Sequence, residues 1–359
     1  MTSSDAIFIA GGYGVVGAQL AEMMRQRHPD LPLILAGPNP DKAAGLVTKL
    51  TNAQAVSLDM QQAGPLNGLK PRAVIATAND PHDYLLREAV QNGIPYLDIT
   101  RWTERVKVAS LQLTKENLTA PVILSSAWMA GIVALVAASL ARSLNTVERI
   151  EISVLYSLKD KSGPNSVEYM DRLATPYQVM LNGQLQQVYP YTDPLTVTFP
   201  GGYRAKTWRF DSPDQLTLPA AAGASTVTAR IAFDDAFSTN LLAFLTRSGI
   251  WKMISGKRFA SLRRALLYSP GSGAAHEIVI EVTGKTEDGS SRLLTANLVD
   301  PRGQTHLTAA GALIQLEYLL GLGSQSAPKP GLYYPEATAD FGQAFKTLEN
   351  LNVSLDIVR

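Results

Sequence analysis

The 359 residues contain no cysteine, which excludes a disulfide framework, a thiolate nucleophile, an iron–sulfur cluster and a cysteine-ligated zinc. Charge is scarce too, at 18% of residues against about 25% in an average chain. The 32 basic residues nearly balance the 31 acidic ones, for a net charge of +1. No global field therefore attracts nucleic acid or an anionic membrane, and a charged ligand must be held by local groups. The N-terminus lacks the basic start and long apolar stretch of a secretory signal. With the missing cysteines, this leads us to expect a cytoplasmic protein. Apolar residues make up 46% of the chain, enough for a large core, and the length suggests about two domains at roughly 150 residues each.

One uncharged stretch, Asn117 to Ala141, is long enough to imitate a membrane span. Pro121, Ser125 and Ser126 divide it, so we read a short strand, a turn and an Ala/Gly-rich helix instead.

The first chemical signal follows the apolar run Ala6-Ile7-Phe8-Ile9-Ala10, which has the pattern of a parallel strand covered on both faces. Gly11, Gly12, Tyr13, Gly14, Val15, Val16 and Gly17 come next, then a helical pattern at Val16, Leu20, Met23 and Met24, and a second apolar strand at Leu33–Ala36. In such a β-α-β unit Gly12 permits the tight turn, Gly14 lets backbone approach a pyrophosphate, and Gly17 lets helix and strand pack closely. The helix N-terminus faces the anion. The acid that usually holds a ribose 2′-hydroxyl about twenty residues on is missing: the position reads Gly37-Pro38-Asn39. Asn39 and Lys42 can meet a 2′-phosphate, so the expected cofactor is NADP, with NAD as the alternative.

Further strands are expected at Ala55–Asp59, Arg72–Thr77, Tyr96–Ile99 and Val122–Leu124. A helix is expected from Pro81 with Asp80 as its N-cap, and another from Gly131 to Arg142. The expected fold is α/β: a Rossmann-type doubly wound parallel sheet over 1–145, a second α+β domain over 146–323, and a C-terminal segment, 324–359, packing back on the first domain. Longer alternating strands at Arg149–Leu155, Glu277–Val282 and Arg292–Ala296 mark the second domain, the last two forming a hairpin around Glu287-Asp288-Gly289. Leu307–Leu320 reads as a helix capped by Thr308.

Ligands bind beyond the carboxyl ends of the strands of such a sheet. Asp59, Thr77 and Ala78 are therefore added to the cofactor candidates. Tyr96 and Asp98 share one strand face and, with His82 at a helix start, are the catalytic candidates. His28 is expected to face solvent, whereas His276 and His306 are further candidate proton donors. Trp128 and Arg204 are the substrate candidates, the first as a pocket wall and the second as a carboxylate clamp. No metal site is expected. The basic stretch Lys252–Arg264 reads as a packed helix with a solvated basic face, with a membrane surface or an acidic partner as the alternative.

These segments resemble the saccharopine dehydrogenase-like reductases. Gly11–Gly17 is similar to the family's cofactor loop, Ala36–Ala43 to its second-strand turn, Gly93-Ile94-Pro95-Tyr96-Leu97-Asp98 to its Gly-x-x-Tyr-x-Asp segment, and Gly331–Glu336 to its closing Gly-x-x-x-Pro-Glu. The chain departs from the family at Pro38, where members using NADP commonly carry Arg, and at Met129-Ala130-Gly131, where the family has a Pro-Gly step. The resemblance implies a nicotinamide oxidoreductase acting on a C=N or C=O group of a small polar metabolite, with its site in the cleft between the domains. A homodimer is compatible with it, and neither nucleic acid nor a membrane span is expected. The competing expectation is a redox sensor that binds NADP without turnover.

Overall fold

The computed structural model describes residues 3–160, 172–255, 259, 271, 273–323, 325–337 and 340–358. Two compact units emerge, one built from Met1–Gly131 with Thr308–Asp340, the other from Ile132–Leu307 with Phe341–Arg359.

In the first unit, strands and helices alternate: β1 (Ile7–Ala10), α1 (Val15–Arg27), β2 (Leu33–Gly37), α2 (Ala44–Leu50), β3 (Ala53–Ser57), β4 (Ala73–Ala76), α3 (Tyr84–Gln91), β5 (Tyr96–Arg101), α4 (Thr103–Leu113) and β6 (Pro121–Ser126). Their apolar runs form one parallel sheet in the order 3-2-1-4-5-6. β1 pairs with β2 on one side and β4 on the other. This is the Rossmann arrangement, and the strand order reverses at β1, where such sheets hold their ligand. Phe8, Ile34, Val74, Tyr96 and Val122 fill the core on one face.

The second unit comprises α5 (Ile132–Ala141), β7 (Thr146–Tyr156), the small hairpin β8 (Tyr177–Leu181) and β9 (Gln184–Val188), β10 (Leu195–Thr198), β11 (Arg204–Arg209), α6 (Asp214–Ala222), β12 (Thr226–Phe233), α7 (Ala236–Arg247), the single turn α8 (Ile250–Met253), β13 (His276–Lys285) and β14 (Ser291–Asp300). A mixed sheet runs β10-β11-β12-β7-β13-β14 and ends on the chain's last strand, Ser354–Val358, with β7 and β12 parallel and β13–β14 the expected hairpin. Helix α9 (Gln304–Leu320), strand β15 (Gly331–Tyr333), helix α10 (Phe341–Asn350) and strand β16 (Ser354–Val358) complete the chain.

Several expectations need correction. Helix α3 opens at Tyr84, not at Pro81. Asp80 still caps it from four residues upstream, its carboxylate accepting from the Tyr84, Leu85 and Leu86 N–H groups at 3.0, 2.9 and 3.2 Å. Helix α9 begins at Gln304, which puts Thr308 inside it; the Asp160 carboxylate accepts from Gln304 N at 2.8 Å. The final segment divides: β15 extends the parallel sheet beside β6, whereas β16 pairs antiparallel with β14 in the other unit. The uncharged stretch 117–141 resolves into β6, a short 3-10 turn and α5. Among the described residues no helix is long and apolar enough to cross a membrane. Most of the basic stretch 252–264, from residue 256 except Phe259, lies outside the described residues.

Candidate functional site

The loop after β1 is built from backbone. Gly11 takes φ +82°, a conformation that favours glycine, and its N–H donates to Ala36 O at 2.8 Å. Gly12 N donates to Ile9 O at 3.0 Å and Gly14 N to Gly11 O at 2.9 Å. A Cβ on Gly12 would lie 2.8 Å from Ile9 O, and one on Gly17 would strike Gly11 O and lie 2.9 Å from Gly12 Cα. Those two glycines serve packing. Gly14 is different: it is exposed, and an added Cβ would meet only Gly11 O, at 3.1 Å.

Helix α1 starts at Val15 without a side-chain cap, and its first bond runs from Ala18 N to Gly14 O. The Val15, Val16 and Gly17 N–H groups therefore stay available to an outside acceptor at the positive end of a 13-residue helix.

Tyr13 extends from this loop to the end of β2. Its hydroxyl accepts from Asn39 N at 2.8 Å, and its ring occupies the space where a Gly37 side chain would stand. β2 runs out through Gly37-Pro38-Asn39 with no carboxylate among these three residues, and Asn39, Asp41 and Lys42 are exposed just past it. On the other side, Thr77 N and Oγ1 donate to Ala10 O at 2.9 and 2.8 Å. A Cβ on Gly11 would lie 2.8 Å from both Thr77 Oγ1 and Ala78 Cβ. The fold thus brings Gly11–Gly17, Asn39, Thr77 and Ala78 around one loop. Asp59 is exposed past β3 and closes its own turn, accepting from Gln61 N at 2.8 Å and Gln62 Nε2 at 2.9 Å.

Of the catalytic candidates, Tyr96 and Asp98 are brought together. The Tyr96 hydroxyl donates to Asp98 Oδ2 at 3.1 Å, and Thr100 N and Oγ1 donate to Oδ1 at 2.8 and 2.7 Å. Arg101 Nε adds a 2.7 Å bond to Oδ2, so both oxygens of this buried carboxylate are engaged. Burial raises the Asp98 pKa, but Arg101 and the Thr100 donors outweigh it and hold the group below the usual carboxylate range. Burial, reinforced by the Asp98 charge, pushes the Tyr96 phenol well up. Arg101 also places Nη1 2.8 Å from Asp83 Oδ1, near enough for an ion pair but off the line of an N–H bond, and its buried Nη2 meets no acceptor. Arg105 ties Asp83 to Asn79 and to the Asp80 carbonyl. His82 stands apart from this network, exposed, with Nε2 3.2 Å from Gln61 Oε1. The two-residue spacing of Tyr96 and Asp98 on one strand points to the pair, but it does not mark Arg101 as its partner.

Trp128 is buried beyond β6 and its backbone N–H donates to Ser126 Oγ at 3.0 Å. The next three residues, Met129, Ala130 and Gly131, all take left-handed φ of 46°, 47° and 71°, a strained conformation for the first two that persists only where surroundings enforce it. Gln315 supplies that restraint: its Nε2 donates to Ala130 O and, at 3.1 Å, to Ser125 Oγ. Pro335 fills the space beside Gly131. His28 does not face solvent as expected; it is half-buried with Nε2 2.8 Å from Glu317 Oε1, which Arg27 also reaches at 2.6 Å.

In the second unit Arg204 is exposed at the start of β11, opposite Thr198. His276 and His306 are fully buried there. His306 Nδ1 lies 2.6 Å from Asp300 Oδ2, so the carboxylate fixes the proton on Nδ1 and leaves Nε2 without a hydrogen-bond partner. Burial lowers the His276 pKa to about 3, despite Asp160 Oδ2 at 3.7 Å. Among the described residues no three His, Asp or Glu side chains gather as a metal site.

No family model matches the chain, and comparison with curated protein sequences finds no match. Among solved structures, apo saccharopine dehydrogenase (L-Glu forming) from Saccharomyces cerevisiae is similar over 99% of both chains, with a TM-score of 0.69 at 13% sequence identity. The fold is that of saccharopine dehydrogenase. A myo-inositol dehydrogenase from Corynebacterium glutamicum gives 14% identity over 97% of this chain and 95% of the other, at a TM-score of 0.44. GenD2 from gentamicin A biosynthesis, solved in complex with NAD, gives 12% identity over 98% and 93%, at 0.45. The saccharopine dehydrogenase fold spans both units, including the exchanged segments β15 and β16.

Proposed function

We propose that this chain is an NAD(P)-dependent oxidoreductase of the saccharopine dehydrogenase-like family, moving hydride to or from a C=N or C=O group of a small polar metabolite. One observation carries this reading: three unspent N–H groups and an open glycine edge lie at the point where the parallel sheet reverses its strand order. The residues fit a dinucleotide. Val15, Val16 and Gly17 would donate to its pyrophosphate, Gly14 would admit the close approach, and Thr77 with Ala78 would wall the opposite edge. Asn39 and Lys42, exposed past β2, would meet a ribose 2′-phosphate, and the lack of a carboxylate in Gly37-Pro38-Asn39 favours NADP over NAD.

When bound, the nicotinamide supplies the hydride; the protein must orient it and manage a proton. Asp98 keeps its charge within the Tyr96–Thr100–Arg101 network and holds the β4–α3 loop through Arg101 and Asp83. That role is positioning, because the donors around Asp98 already engage both of its oxygens. Trp128 stays assigned to the substrate, and the protein is assigned to the cytoplasm.

The engagement of Tyr96 and Asp98, together with the exposure of His82, favours one second reading: a redox sensor that binds NADP without turnover. Calorimetric titration with NADPH and NADH, followed by a keto-acid and amine screen for NADPH oxidation, separates the two. Binding with turnover supports the enzyme, and binding without turnover across the panel supports the sensor. Absence of binding to both nucleotides refutes both.

A further inference from the structure

Helix α7 is apolar on two faces. Thr239, Leu242 and Ala243 pack inward. Phe237, Leu241 and Phe244, at i, i+4 and i+7, form a stripe on the opposite side, exposed by 73%, 41% and 61%. The next turn, α8, buries Trp251 but exposes Ile250 by 37% and Met253 by 76%. Two phenylalanines and a methionine this exposed on one short run are a patch that a free surface does not normally carry. The helix is firmly started, with the Asp235 carboxylate accepting from Ser238 N at 2.6 Å, so the stripe belongs to a formed element.

The charge pattern points to the occupant. From Ala236 to His276 the sequence contains six of the chain's 32 basic residues and none of its 31 acidic ones. The overall balance therefore conceals a local region of one sign. Arg247 and Lys252 are exposed within α7 and α8, beside the stripe; the remaining four cations are read from the sequence alone. A second copy of this chain would bring cations against cations, and nucleic acid would leave the phenylalanines uncovered. Apolar side chains flanked by Arg247 and Lys252, with the two acids just before the helix, Asp234 and Asp235, engaged by Ser157, Leu158 and Ser238, match the interface of an anionic bilayer. There apolar groups enter between headgroups and cations meet lipid phosphates.

We propose that the exposed face of α7 and α8 is a peripheral docking surface for anionic phospholipid membranes. The site reads separately from the nucleotide loop and does not depend on it.

The test is co-sedimentation of the full chain with vesicles of phosphatidylcholine alone or with 30% phosphatidylglycerol, in 0.1 M and 0.5 M NaCl, each alongside analytical ultracentrifugation without lipid. The expected result is that most of the protein pellets with phosphatidylglycerol vesicles at low salt. At least tenfold less should do so without the anionic lipid or at high salt. The triple variant Phe237→Ser, Phe244→Ser, Met253→Ser should lose binding about tenfold while keeping its circular dichroism and melting temperature, since all three side chains are exposed. A second variant, Lys252→Glu, should weaken binding without touching the apolar stripe. Failure of the native chain to pellet with phosphatidylglycerol vesicles at low salt overturns the proposal. Binding that ignores salt and lipid charge, or that both variants retain, overturns it too. A dimer abolished by the triple variant, without vesicle binding, replaces the membrane with a second copy.

Discussion

Replacing Gly14 by leucine should separate nucleotide binding from folding. Gly14 has φ −75° and ψ 176°, a conformation any residue adopts. An added Cβ meets only Gly11 O, at 3.1 Å, so the fold should change by less than about 1 kcal/mol. The new side chain instead stands over the Val15, Val16 and Gly17 N–H groups and keeps a pyrophosphate from reaching them. A loss of at least about 100-fold in NADPH affinity is expected, about 2.8 kcal/mol at 1.4 kcal/mol per tenfold. With NADPH at about 100 times the native Kd, the native protein gains about 2.7 kcal/mol of stability and the variant only about 0.4. Calorimetry reads the affinity and thermal unfolding reads the linkage. Gly17→Ala is the contrast: its Cβ would strike Gly11 O and sit 2.9 Å from Gly12 Cα, so the fold itself should lose about 1–3 kcal/mol. Native NADPH affinity in Gly14→Leu, or unfolding of that variant on the scale of Gly17→Ala, would refute the placement of the phosphates.

Three other outcomes follow from the geometry. His276 binds its proton only near pH 3 when folded and near 6.5 when unfolded. Its contribution is therefore complete above pH 6.5 and is lost as pH falls toward 3, by about 2 kcal/mol at pH 5. Urea unfolding at pH 7.5 and 5 should show that loss in the native chain and lack it in His276→Phe; equal pH dependence contradicts the burial argument. Asp98→Asn takes the nearer carboxylate from the buried Arg101 guanidinium, leaving it Asp83, and should cost up to about 3–5 kcal/mol in chemical denaturation, whereas a cost below about 1 kcal/mol would show that the pair carries little. Lys42→Glu should weaken NADPH about tenfold and leave NADH within about twofold, and parallel losses for both nucleotides would remove Lys42 from the 2′-phosphate.

Local chemistry made the first unit legible. Apolar runs fix which segments are covered strands, and glycines at 12 and 17 belong between a strand and a helix because only backbone fits there, while Gly14 leaves the edge of the loop open. The hairpin around Glu287-Asp288-Gly289 was equally local. The helix starts at Tyr84 and Gln304 were misplaced because their capping carboxylates, Asp80 and Asp160, lie outside the reach of the usual capping pattern.

Other features had no local signal. Glu317 meets His28 across 289 positions, Gln315 meets Ala130 across 185, and a buried Arg101 gathers Asp98 and Asp83. Nothing in a side chain announces which distant partner will satisfy it once water is removed. The amino-acid order by itself determined the glycine loop after β1, the parallel-sheet pattern and the acid-free run after Asp235, since each depends on neighbours in the chain. Only the tertiary structure decided that Asp98 is engaged on both oxygens, that residues 129–131 stay left-handed, and that α7 leaves phenylalanines in water. Those outcomes are set by what packs against each group, and packing partners are chosen by the whole fold.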